Sequence, residues 1–469
     1  MTKQAFNPYL PSWEYTPDCE PYVFGDRVYV YGSHDRFNSL MYCLNDYVCW
    51  SAPVDDLSDW RYEGVIYKKT DDPLNPRGNA CLYAPDVTQG PDGRYYLYYC
   101  LDKFQIVSVA VCDTPAGKYE FYGYVHYKDG TKLGERQGDE PQFDPGVLTE
   151  GDRTYLYTGF CAIGDRSRSG AMATVLDKDM VTIIEDPVII APSEPYSAGS
   201  GYEGHEFFEA PSMRKVGDTY YFVYSSILNY EMCYATSKHP TKDFVYRGII
   251  ITNNDVHIDS YKPAEMPTYY GGNDHGSIIE INGQWYIFHH RHTNGSNFSR
   301  QDCAEKIEIL PDGSIPQVEM TSCGLNDGPL IGKGEYPAYI ACNLFCDHVS
   351  DRTGWEWMNP EFPKITQDGR DGEEEVGYIC NMKAGATAGY KYFDCKGVSS
   401  ITLKARGYGS GAFEISTSID GEVLATIPVQ YSNIWEEYSS EINIPDGICA
   451  LYIKYTGQGT ISLKSFLLD

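Results

Sequence analysis

The chain is 469 residues long and carries a formal net charge of −29, with 42 tyrosines, 45 glycines and 27 prolines. That length holds two or three domains, and the acidity excludes nucleic acid and anionic membranes as partners, leaving a neutral ligand such as an oligosaccharide. Scarce helix-forming runs beside so many aromatic and turn residues predict an all-β protein of short strands.

The N-terminal stretch "MTKQAFNPYL" has no basic region followed by an apolar run, so no signal peptide is expected. No apolar run reaches membrane-spanning length. The fifteen cysteines are scattered and never spaced C-x-x-C. Reduced thiols in a cytoplasmic protein are the expectation.

The first strand signal lies in "TPDCEPYVFGDRVYVYGSHD", where Gly25-Asp26 makes a turn before Val28-Tyr29-Val30-Tyr31. Asp18 and Glu20 stand two apart just ahead of this apolar stretch, a costly place for carboxylates. The phrase "GDRVYVYGS" then recurs as "GRYYLYYC", "GDRTYLYTG", "GDTYYFVYSS" and "GQWYIFHH". Their leading glycines, Gly25, Gly93, Gly151, Gly217 and Gly283, give gaps of about 68, 58, 66 and 66 residues. That period suits four strands with their loops. Five such units predict a five-bladed β-propeller within residues 1–325.

Counting back from each glycine places Asp18, Asp86 and Asp144 seven residues before it, and Glu209 and His275 eight before. These are inner-strand entrances, and inner strands line the channel of a propeller. The repeat therefore gathers acids that are distant in sequence. Clustered carboxylates differ in pKa, which supplies the proton donor and the base that glycoside hydrolysis needs.

In order along the chain, "NPYLPSW", "PDCEPYVFGDRVYVYGSHD", "APDVTQGPDGRYYLYY", "FEAPSMRKVGDTYYFVYSS" and "HGSIIEINGQWYIFHHR" resemble glycoside hydrolase family 43 over roughly residues 6 to 325. The resemblance implies an inverting, exo-acting hydrolase releasing terminal α-L-arabinofuranose or β-D-xylose from plant-derived oligosaccharides. The alternatives are another furanosidase or an endo-arabinanase of that family, or a carbohydrate-binding propeller without catalysis. It implies Asp18 as general base, Glu209 as general acid and Asp86 as the third acid, which orients Glu209 and holds its pKa up. Cys19 stands where the family has proline, which leaves Glu20 as a rival base. Asp18 keeps the seven-residue offset, and Glu20 would share its face but lie deeper.

His275 in "NDHGS" resembles the histidine that holds a hydrated calcium ion near the propeller centre; a hydrogen-bonded channel histidine is the other reading. No cofactor is expected for the chemistry itself. Arg291 in "FHHRH" resembles the arginine that contacts the sugar or orients the carboxylates. Trp50, Tyr83, Phe160 and Phe207 are candidate platforms for a sugar face. Glu14, Asp139, Glu203 and Glu206 read as solvated loop acids, and His289, His290 and His292 as packing or rim residues.

Thr321 to Tyr339 is a glycine-rich connector. Beyond it, short alternating segments predict a β-sandwich over residues 340–469. This part resembles a family 6 carbohydrate-binding module, with Trp435 and the terminal "SLKSFLLD" as landmarks. Thr456-Gly-Gln-Gly459 lacks the asparagine and aromatic of a glycan-binding edge, so packing against the propeller is the favoured role.

Overall fold

The computed structural model describes residues 4–258, 261–346 and 361–469. Among these residues the regular structure is β, with only three-residue 3₁₀ turns besides, and no helix is long and apolar enough to cross a membrane. Each repeated phrase forms an antiparallel hairpin, because a glycine turn joins two alternating apolar runs. Five antiparallel sheets follow in chain order, four of them four-stranded and the fifth three-stranded. Their inner strands are Glu20–Phe24, Leu82–Gln89, Gly146–Glu150, Phe207–Val216 and Ser277–Ile281. Each touches the next, and the first also touches the fifth. The sheets thus close into a five-bladed propeller.

The N-terminal segment helps to close the ring. The Asn7 side chain donates to the Ala304 carbonyl (3.0 Å) and accepts from the Ala304 amide (2.9 Å). It thereby mimics a peptide beside the outer strand Arg300–Ile307 of blade five.

The register of the inner hairpins decides which acids share a level. Glu20 pairs with Tyr31, Asp86 with Tyr98, Gly146 with Tyr157, Ser212 with Val223 and Ser277 with Phe288. Asp86 is therefore the blade-two equivalent of Glu20, not of Asp18. Counting back from the turn glycines misplaces it because the blade-two hairpin turns through residues 90–94, whereas blades one and three turn through two residues each. The true equivalents of Asp18 lie two residues ahead of the paired positions: Ala84, Asp144, Ala210 and His275. Residues two apart on a strand share a face. The channel is thus lined at two levels, an outer one with Asp18, Asp144 and His275 and an inner one with Glu20, Asp86, Ser212 and Ser277.

Among the described residues, the strands from Leu330 onward form two six-stranded sheets that pack face to face. Their core is continuous with the propeller: one buried apolar cluster runs from Val223, Ile251 and Ile287 through Ile340 and Leu344 to Tyr390, Phe413 and Phe466. Polar ties cross the same junction. Lys391, 2 % exposed, reaches Asp255 and Glu319 at 2.8 Å each. All fifteen cysteines are free thiols.

Candidate active site

A cavity of about 310 Å³ opens at the outer level of the channel. Asp18, Asp144, Glu209, His275 and Arg300 line it, with Tyr42, Tyr83, Phe143, Phe160 and Phe208 forming much of the apolar wall. Asp18 and Asp144 each lie two residues before an inner strand, with left-handed φ of 64° and 45°. Aspartate tolerates that conformation better than most residues, and strain of this kind collects at functional sites. Glu209 reaches the cavity differently. Its strand is irregular between Phe207 and Ser212, and Ala210 has φ 63°. This bulge turns Glu209 toward the acids of blades one and three.

The carboxylates are electrostatically distinct. Glu209 is pushed up to about 8 by burial, then by the charges of Asp144 and Asp18. Asp144 is pushed up to about 7, mainly by burial, with His275 opposing and Asp18 adding to the rise. Asp18 accepts a hydrogen bond from Arg300 Nη1 at 2.9 Å. Arg300 is itself fixed by Asp35, with Nε to Oδ2 at 2.9 Å and Nη2 to Oδ1 at 3.0 Å. Behind Asp18 stands His290. Its Nδ1 accepts from the Asp18 amide (3.3 Å), and its Nε2–H donates to the Asn273 carbonyl (2.7 Å). Burial and Arg300 hold this imidazole well below its ordinary pKa, so it is the neutral tautomer that such bonding requires.

Sequence-based expectations meet this geometry unevenly. Asp18, Glu209, His275, Tyr83 and Phe160 line the cavity. Asp86 does not: it is fully buried at the inner level. There Oδ1 accepts from Tyr22 Oη and its Oδ2 from the Val147 amide, both at 2.7 Å. Burial and the charge of Glu20 push it up to about 8. The acid beside Glu209 is Asp144. Glu20, the rival base, is likewise inner, held by Arg214 Nη2 at 2.6 Å and Ser212 Oγ at 3.1 Å.

Arg291 is also displaced from its expected place. Its guanidinium donates to Gln301 Oε1 and to the Tyr339 and Ala341 carbonyls at 2.7 and 2.8 Å, so it ties the propeller to the C-terminal half. The cation of the cavity is Arg300, on the neighbouring strand, which sequence reading missed together with its partner Asp35. Phe207 is buried in the blade core, and its neighbour Phe208 faces the cavity, as strand alternation demands. Trp50 is core too, with its indole N–H donated to Glu14 Oε2 at 2.9 Å. Glu14 is therefore a partner of Trp50 and His34 rather than a solvated acid, and Glu206 is buried on Ser197. Asp139 accepts from Tyr127 Oη, whereas Glu203 is exposed. His289, His290 and His292 are all fully buried rather than at the rim, and His290 is hydrogen-bonded to the Asp18 amide.

A model of the glycosyl hydrolases family 43 matches residues 7–315. The chain belongs to glycosyl hydrolase family 43. It is 74% identical over 471 residues to a xylosidase/arabinosidase of Thermoclostridium stercorarium, with 100% of this chain and 99% of the relative covered. It is 27% identical to a xylosidase/arabinosidase of Bacteroides ovatus over 66% of this chain and 97% of the relative. Among solved structures, a β-xylosidase superposes with a TM-score of 0.52 at 26% identity, over 66% of this chain and 96% of its own. An arabinoxylan arabinofuranohydrolase from Bacillus subtilis, at 19% identity and TM-score 0.53, shares the fold over 100% of this chain and 98% of its own. This family 43 chain is thus a glycoside hydrolase.

His275 can be tested as a holder of the calcium expected for the family. Its Nε2 lies 3.8 Å from Glu20 Oε1 and its Nδ1 3.8 Å from Asp144 Oδ2. Glu20 Oε1 is buried and accepts no hydrogen bond. One ring nitrogen and one unpartnered carboxylate oxygen fit a cation that keeps most of its water shell, since calcium takes six to eight oxygens. Protonated His275 supplies positive charge at the same place. Its pKa is raised to about 9, burial opposing and Glu20 and Asp144 favouring the proton.

Proposed function

We propose that the chain is an inverting, exo-acting glycoside hydrolase that removes a terminal α-L-arabinofuranosyl or β-D-xylosyl unit from short plant-derived oligosaccharides. Asp18, Asp144 and Glu209 share one small cavity with a single arginine, and this convergence carries the reading. The relatives named xylosidase/arabinosidase support the choice of sugar. The cavity volume, at the low end for ligand pockets, favours a terminal unit over the middle of a polymer.

In this scheme Asp18, oriented by Arg300, takes a proton from the attacking water. Glu209 gives its proton to the glycosidic oxygen, the bond to the anomeric carbon breaks, and the sugar leaves with inverted configuration. Asp18 then returns its proton to solvent and Glu209 is reprotonated. Asp144 keeps Glu209 protonated until the step. The aromatic wall from Tyr83 to Phe208 covers the apolar face of the sugar. Calcium, when held by His275 with Glu20 beside it, would supply positive charge that steadies the ring of carboxylates; the chemistry needs no other group. The C-terminal sandwich acts structurally, by buttressing blades four and five.

Proton NMR of the first-formed sugar from nitrophenyl α-L-arabinofuranoside and β-D-xyloside tests the scheme. Inversion is expected. A retained anomer, or no cleavage of either substrate, contradicts it.

A further inference from the structure

A second cluster of chemistry-bearing side chains lies on blade four, outside the cavity. Glu231 opens the strand Glu231–Ser237 and is fully buried. Its Oε2 accepts from His205 Nδ1 at 2.9 Å and Ser226 Oγ at 2.8 Å, and lies 3.7 Å from Cys233 Sγ. Oε1 accepts no hydrogen bond, although no solvent reaches it. Facing it at 3.5 Å is His257 Nε2, from the segment after the fourth strand. One ligand atom each from His205, Glu231 and Cys233 can be chosen so that all lie within 4.8 Å of one another. The histidine side chains are 31% exposed, so the cluster is closed by Cys233 on one side and open to water on the other.

Nothing in the hydrolytic scheme uses these groups. What points to a ligand is the convergence of three metal-binding residue types, an imidazole, a buried carboxylate and a thiol, on one point at the edge of the blade. A donor set of nitrogen, oxygen and sulfur suits zinc and its neighbours and is poor for calcium or magnesium, which take oxygen. The surroundings are those of a ligand set already oriented. Tyr246 stacks on His205 with rings 5.1 Å apart and 10° from parallel. His257 Nε2 stands 3.5 Å from the far oxygen of the carboxylate, on the side away from Cys233.

We propose that His205 Nδ1, Glu231 Oε2 and Cys233 Sγ bind a zinc-class divalent cation, with the fourth position open to water. Binding displaces the Nδ1 proton, which moves to Nε2 or to solvent, and the Cys233 thiol proton, which passes to solvent. The site lies beside the catalytic cavity, since Asn229, two residues before Glu231, lines that cavity.

The test uses the full chain after chelator treatment. Calorimetric titration with zinc is expected to show one equivalent bound, which excess calcium does not displace. Cobalt(II) in its place is expected to give a thiolate-to-cobalt absorption band. His205→Ala, at a partly exposed residue whose loss leaves the blade core intact, is expected to weaken zinc binding by at least about tenfold and to remove the band. Cys233→Ser should remove the band while weaker binding remains. Absence of zinc binding by the unaltered chain overturns the proposal. So do zinc affinity and a cobalt band unchanged in His205→Ala, which would place the metal at other thiols.

Discussion

The two acids that matter most at the residue scale are Glu209 and Asp144, because burial, and after it the charge of Asp144, favours the protonated form of Glu209. Burial pushes Glu209 up to about 8 and Asp144 up to about 7, and the charges of Asp144 and Asp18 add to the rise at Glu209. Removing the donor should matter most where the leaving group needs protonation. Glu209→Ala is expected to lower kcat/KM on natural disaccharides by roughly 10²–10⁴-fold, with a much smaller loss on nitrophenyl glycosides. Equal losses on both would remove Glu209 from that role. The same shifts act on stability. Glu209, Asp144 and Asp86 have folded pKa values raised above those of unfolded carboxylates, to about 8, 7 and 8. The folded state therefore holds more protons between about pH 4.5 and 8, and stability falls as pH rises through that window. Thermal denaturation is expected to show a lower Tm at pH 8 than at pH 5.5.

At the element scale, strand register explains what was and was not legible in the sequence. The propeller was legible because glycine-led aromatic hairpins repeat at an even period, and Asp18, Glu209 and His275 because they stand at inner-strand entrances. Asp86 was misread because its hairpin has a longer turn, which shifts a count taken from Gly93. Alternation exchanged Phe207 for Phe208. Arg291 and Arg300 could not be told apart by pattern: both sit on blade-five strands, and only the tertiary arrangement turns one to Ala341 and the other to Asp18. Arg291 thus belongs to the junction. Arg291→Met leaves two buried carbonyls without a donor and is expected to cost about 3 kcal/mol while KM changes little. Calorimetric unfolding beside steady-state kinetics checks this; a large KM rise at unchanged Tm would return Arg291 to the sugar.

For the whole molecule, the continuous core from blade four into the C-terminal sheets makes the two halves one folding unit. Lys391, buried against Asp255 and Glu319, adds a charge pair whose separation would strand ions in apolar surroundings. A chain ending at residue 325 is therefore expected to be insoluble or to unfold well below the full chain. Circular dichroism melting of both decides it: equal Tm values would mean that the sandwich is an appended module.

The most direct test of the central assignment, that Asp144 rather than Asp86 sets the acidity of Glu209, is the pH dependence of kcat/KM in Asp144→Asn and Asp86→Asn. Loss of the Asp144 charge is expected to move the alkaline limb to lower pH and to reduce kcat/KM. Asp86→Asn is expected to leave that limb in place and to lower Tm, because in either orientation its NH₂ meets a backbone N–H, that of Val87 or of Val147. A limb that moves in Asp86→Asn and stays fixed in Asp144→Asn would contradict the account.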